Sequence, residues 1–111
     1  MLSVDEIVIL FYEDVNIEFL RRRTNKITGE WDYPRILIYI DNIASEYERD
    51  ITLLHEFIHA RDEIIKGIEK KLGEMDEYGC TNYNEVEREA VETYHKFPEV
   101  LKFLKELYYI K

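Results

Sequence analysis

Val4, Ile7, Val8, Phe11 and Tyr12 recur at helical spacing behind Ser3 and Glu6, which together match a capping box. The pattern predicts a first helix over residues 4 to 13, with a strand as the alternative reading of the same apolar run. Val15, Ile17 and Phe19 then alternate with Asn16 and Glu18, the period of a half-buried strand. Thr24 to Glu30, which contains Gly29, is expected to be a turn. Arg35 to Asp41 is β-branched and aromatic behind Pro34, so it reads as the core strand of a small sheet or as an edge. From Asp50 to Lys66 the chain has helix formers and no Pro or Gly, and Gly67 stands where a helix would stop. Leu53, Leu54, Phe57, Ile58, Ile64 and Ile65 make its apolar face, opposite a polar face with Thr52, His55, His59, Asp62 and Lys66. A loop over Gly73 to Thr81 precedes a second capping pattern, Asn82 with Glu85, and a helix to about Lys96. Pro98 suits the first turn of a last helix on which Val100, Phe103, Leu104, Leu107 and Tyr108 share a face. Helix, strands and then helices make an α+β fold, and 111 residues suffice for one domain, residues 1–111, with one modest core.

Composition narrows the function classes. The charge of -9, from 24 acidic and 15 basic residues, opposes binding to nucleic acid or to anionic membrane surfaces. Arg21-Arg22-Arg23, the one basic cluster, reads as a solvated strand end. The longest apolar run, Ile7 to Tyr12, is far short of the roughly 20 residues that span a bilayer. Without the basic start, long apolar run and cleavage site of a signal peptide, the expected location is the cytoplasm. Cys80 is the single cysteine, which excludes a disulfide framework or a Cys-based zinc cluster and reads as a buried, inert thiol. Gln is absent while Glu, Lys, Ile and Tyr abound, a bias associated with hyperthermophile proteins.

The chemistry concentrates at His55-Glu56-Phe57-Ile58-His59. On a helix, side chains four residues apart lie about 40° apart and one turn above each other, so both imidazoles reach a single ion. Zinc accepts neutral imidazole nitrogen and, in catalytic sites, keeps three protein ligands and an open water position. Glu56, beside the first histidine, is then placed as a general base for that water and as proton donor to the leaving amine. The expectation is one Zn2+ per chain, His55 and His59 as ligands, Glu56 as the catalytic residue, and peptide or unfolded protein as substrate. Against it stands a solvated polar helix face whose histidines make only surface hydrogen bonds.

Metzincins continue this motif with Gly and a third His, where this chain has Asp62 and Ile65, so that class is excluded. Asn84-Glu85-Val86-Glu87-Arg88-Glu89-Ala90 instead resembles the downstream glutamate helix of gluzincins. A chain this short with this order of elements resembles the minigluzincins, small gluzincin-type zinc peptidases. The resemblance implies a zincin-like minimal domain with a small sheet, an active-site helix, a second helix lending the third ligand, and a C-terminal helix. Glu85, Glu87, Glu89 and Glu92 all compete for that third position. The family resemblance implies a histidine there, and His95 is the only one remaining, with Glu92 and Glu99 near enough to orient it. Were Glu87 the ligand, the position one turn later would be Val91, which offers no hydrogen bond. The resemblance further implies a latent form in which residues 98–111 cover the cleft of their own chain or of a second one, giving a homodimer through the C-terminal helix. An extended substrate would pair with a sheet edge, for which Arg35 to Asp41 is the candidate. The competing function is a non-catalytic helical dimerisation or partner-binding module with structural zinc or none.

Overall fold

The computed structural model describes residues 1–21, 27–67 and 83–109. Among these, the chain runs α1 (Val4–Tyr12), β1 (Asn16–Leu20), β2 (Gly29–Asp32), β3 (Arg35–Tyr39), a 3-10 turn (Ile40–Asn42), α2 (Glu46–Ile64), α3 (Tyr83–Lys96) and α4 (Pro98–Tyr109). The fold is α+β, as the order of apolar patterns implies.

Local chemistry accounts for most boundaries. Both halves of the first capping box form: the Ser3 N–H donates to Glu6 Oε1 at 3.0 Å and the Glu6 N–H to Ser3 Oγ at 3.3 Å. This settles the ambiguous first segment as a helix. Asp14, with φ 64°, reverses the chain into β1, a left-handed conformation that Asp tolerates better than most residues. Helix α2 begins four residues before the expected Asp50, because Ser45 caps it by accepting the Glu48 N–H at 3.1 Å. Gly67, at φ 69°, follows its end as expected. Pro98 is the first residue of α4. The expected loop over 73–81, the Asn82 cap, Cys80, Arg22 and Arg23 lie outside the described residues, whereas Arg21 is exposed near Asp41 at 3.7 Å.

The strand order is β1-β3-β2, with β1 parallel and β2 antiparallel to β3. Two expectations change here. Gly29 to Asp32 is a strand rather than the end of a turn, with Trp31 directed into the core. Arg35–Tyr39 is the central strand, hydrogen-bonded on both sides, so it is no edge for a peptide to join; β2 and β1 are the edges. Ile36 and Ile38 are fully buried beneath α2, which explains the apolar character of that strand.

The core gathers Ile7 and Leu10 of α1, Trp31, Ile36 and Ile38 of the sheet, Leu53, Leu54, Phe57 and Ile58 of α2, Val86 and Ala90 of α3, and Val100, Leu101 and Leu104 of α4. Helix α2 packs against α1, α3, β2 and β3. It is consequently buried nearly all round from Asp50 to Ile58, and its polar face meets other elements rather than bulk water. One buried cation ties these layers together. Arg61, 2 % exposed, donates to both oxygens of Glu89 on α3 at 2.7 and 2.9 Å and to Asp62 at 2.9 Å, with Glu6 of α1 at 3.5 Å. Helix α4 is held by Leu104, by Lys105 on Asp50 at 2.9 Å, and by the Tyr108 hydroxyl donating to the Val15 carbonyl at 2.9 Å.

Candidate metal and catalytic cleft

The middle of α2 carries His55 and Glu56 side by side and His59 one turn later. His55 and Glu56 are each only 7 % exposed and His59 is half-buried, so the reading of a solvated histidine face does not hold. The two Nε2 atoms face each other at 3.1 Å. Two nitrogens bound at about 2.0–2.1 Å to one tetrahedral ion stand about 3.3–3.4 Å apart, so the pair is set within a few tenths of an ångström of the spacing zinc requires.

On the other side of the His55 ring, Nδ1 lies 2.9 Å from Glu87 Oε1 of α3. A carboxylate only accepts, so Nδ1 carries the hydrogen and Nε2 presents a lone pair toward His59. That lone pair accepts the hydrogen of His59 Nε2–H or, in its place, binds a cation held by both rings. Burial pushes the His55 imidazole below its ordinary value, against the opposing pull of Glu87. The ring is therefore neutral near pH 7, the form that ligates metal. His59, His55 and Glu87 are thus linked in series. Among the described residues, no group of three or more His, Cys, Asp or Glu side chains encloses a common centre.

The structure separates the five candidates for the third position. Glu87 reaches His55. Glu89 is occupied by the Arg61 fork, Glu92 lies 4.0 Å from Arg88 and 3.3 Å from Lys96, and Glu85 is exposed. His95 is exposed at the far end of α3, its Nε2 3.4 Å from the Tyr47 hydroxyl and its ring against Tyr47 and Tyr94. Eight helical residues, about 12 Å of rise, separate Glu87 from His95. The structure therefore brings together His55, His59 and Glu87, and it does not bring His95 to them.

A cleft of ≈ 430 Å³ opens beside this group. Glu48, Ile51, Thr52, His55 and Glu56 form its α2 wall and Glu87 its α3 side, while Ile27, Thr28 and Gly29 bring the sheet edge to it. The Thr52 and Thr28 hydroxyls hydrogen-bond at 3.1 Å and tie that edge to the helix. The sequence pattern does not show this wall, because Gly29 lies where a turn is expected; the alternation Gly29-Glu30-Trp31 is the available signal of a strand with a close backbone approach. No α4 residue lines the cleft, so the described part of residues 98–111 contributes to the core of its own chain and does not cover its cleft. No helix among the described residues is long and apolar enough to cross a membrane. Comparison with known proteins gives no match to a protein-family model, to a curated protein or to a solved structure.

Proposed function

We propose that the chain is a zinc-dependent peptidase, in which His55 and His59 hold the metal through Nε2 and Glu56 acts as general base. The observation that carries this reading is the 3.1 Å separation of the two Nε2 atoms on a buried helix, beside a cleft that Glu56 and Glu87 also line. We assign the third protein position to Glu87 in place of His95, since Glu87 is the competing α3 side chain that reaches His55. Its Oε1 now sits on Nδ1 of His55, so ligation requires the carboxylate to turn from that nitrogen.

Bound in this site, zinc would supply Lewis acidity, lowering the pKa of water toward about 7 and polarising the carbonyl of the bond to be cut. The protein's part is positioning and proton transfer. Glu56, buried and held on α2, takes the proton of the attacking water at a carboxylate oxygen and delivers it to the leaving amine nitrogen. Because β2 is a sheet edge whose start borders the cleft, an extended peptide can pair with its backbone and lay a peptide bond across Glu56. This reading shares His55, His59 and Glu56 with the resemblance to minigluzincins and departs from it at the third ligand.

The test is metal content together with Glu56→Gln. Wild-type protein is expected to hold one zinc and cleave unfolded protein, and Glu56→Gln to keep the zinc while losing about 10²–10⁴-fold in rate. A wild type that takes up no zinc and cleaves nothing would leave the partner-binding module as the better description.

A further inference from the structure

Gly29 is placed against the side chain to which that reading gives the proton transfer, and the reason it is glycine is steric. Its backbone is not in the left-handed region, where among the described glycines only Gly67 lies. Conformational freedom is thus not what the position requires. A Cβ built on Gly29 would lie 2.6 Å from Thr52 Cγ2, 3.1 Å from the Leu37 carbonyl oxygen and 3.2 Å from Glu56 Cγ. The first distance is impossible without movement and the other two are tighter than ordinary van der Waals contact.

The surroundings restrict where that movement can go. Gly29 pairs with Ile38 on the central strand, and the Tyr39 N–H donates to the Thr28 carbonyl at 2.9 Å, so the sheet holds the glycine from behind. Thr52 is fixed by its hydroxyl on Thr28 at 3.1 Å and is itself buried. Thr52 and Glu56 are one helical turn apart and both face the glycine. The edge strand and α2 therefore meet through a bare backbone at the point where Glu56 leaves its helix.

We infer that Gly29 is a positioning residue for Glu56: by lacking a side chain, it lets β2 seat directly against the Glu56 stem and fixes where the carboxylate enters the cleft. The inference rests on the peptidase reading for its catalytic consequence, but the placement of Glu56 can be measured without it. Gly29→Ala introduces the Thr52 clash and the closer contacts with the Leu37 carbonyl and Glu56. Adding Thr52→Ser removes Cγ2, the 2.6 Å partner, and retains the hydroxyl that bonds Thr28. The double variant consequently retains only the Leu37 carbonyl and Glu56 contacts, of which the second is read directly at the Glu56 carboxyl.

The experiment uses the full chain, zinc-loaded, as wild type, Thr52→Ser, Gly29→Ala and the double variant. Each is followed by thermal midpoint, zinc content, kcat and KM on an unfolded protein substrate, and the ¹³C carboxyl resonance of Glu56, assigned by its loss in Glu56→Gln. Gly29→Ala is expected to lower both midpoint and kcat. The double variant should recover the midpoint of Thr52→Ser and its zinc, yet show a shifted Glu56 resonance, a kcat about tenfold below Thr52→Ser with KM within about twofold, and a displaced acid limb of kcat/KM, since a few tenths of an ångström at a reacting group is costly. A double variant equal to Thr52→Ser in the Glu56 resonance and in kcat would overturn the inference and leave Gly29 a packing residue alone. A zinc-loaded wild type without hydrolysis would remove the peptidase reading; an unshifted Glu56 resonance would then defeat the positioning role on its own terms.

Discussion

Replacing Glu87 tests the proposed metal centre at the point where structure and sequence patterning differ most. Its carboxylate meets Nδ1 of His55 at 2.9 Å, on a ring 7 % exposed, while its own side chain is 44 % exposed. The Coulombic part of the contact is screened by water, so its value lies in geometry and ligation rather than in net ion-pair stability. A carboxylate that only orients a metal-bound histidine is worth about 10–100-fold in metal affinity, about 1.4–2.7 kcal/mol. Loss of one of three protein ligands costs more than the upper end of that range. Glu87→Gln separates the roles: the amide oxygen still accepts the Nδ1 hydrogen, but a neutral amide is a poor zinc ligand. Glu87→Ala and Glu87→Gln are both expected to weaken zinc by more than about 100-fold, and His95→Ala by less than about twofold. The assay is competition for zinc against a chromophoric chelator at neutral pH, with the thermal midpoint at fixed free zinc as a second readout. A 100-fold loss of affinity removes about 2.7 kcal/mol of linked stabilisation, or on the order of 10 °C in a domain of this size. Near-normal zinc affinity in Glu87→Gln would reduce Glu87 to an orienting group, and metal loss in His95→Ala with Glu87→Ala unaffected would restore His95 and refute the reasoning.

Further outcomes follow from the packing. Arg61→Ala leaves Glu89 without its fork in the α2–α3 interface and should cost about 3–5 kcal/mol in urea unfolding. Burial alone would raise the Glu89 carboxyl, but the hydrogen bonds and charge of Arg61 outweigh it and hold the group below the ordinary carboxylate range. Its folded-state value being depressed, the stabilisation is present above the unfolded-state carboxyl value and is lost as pH falls through the folded one; Glu89→Gln should flatten that part of the acid unfolding curve. Leu104, fully buried in α4, should cost about 2–5 kcal/mol as Ala. Removal of residues 98–111 should yield aggregated protein, whereas a folded, zinc-loaded and more active product would make the segment a cover for the cleft.

The sequence by itself determined what depends on neighbours along the chain. Ser3 with Glu6, Gly67 after α2 and Pro98 at the start of α4 are local devices, each satisfying or ending a backbone hydrogen-bond pattern within a few residues, and they were legible for that reason. So was the placement of His55 and His59 one turn apart with Glu56 beside the first, which any helix over that segment imposes. What decided the rest was contact between distant segments. Gly29 could be seen as a glycine but not as the bare point of contact between β2 and Glu56, because Thr52 and Leu37 enter only through the fold. Arg35–Tyr39 carries the same apolar pattern whether central or at an edge, and only pairing with both β1 and β2 makes it central. The competing glutamates of α3 are chemically alike. Helix rotation and the buried position of Arg61 turn Glu89 to the guanidinium and Glu87 to His55, and leave His95 on Tyr47 at the other end of the helix. Those choices rest on interhelical packing, to which the spacing of charges along one helix is blind.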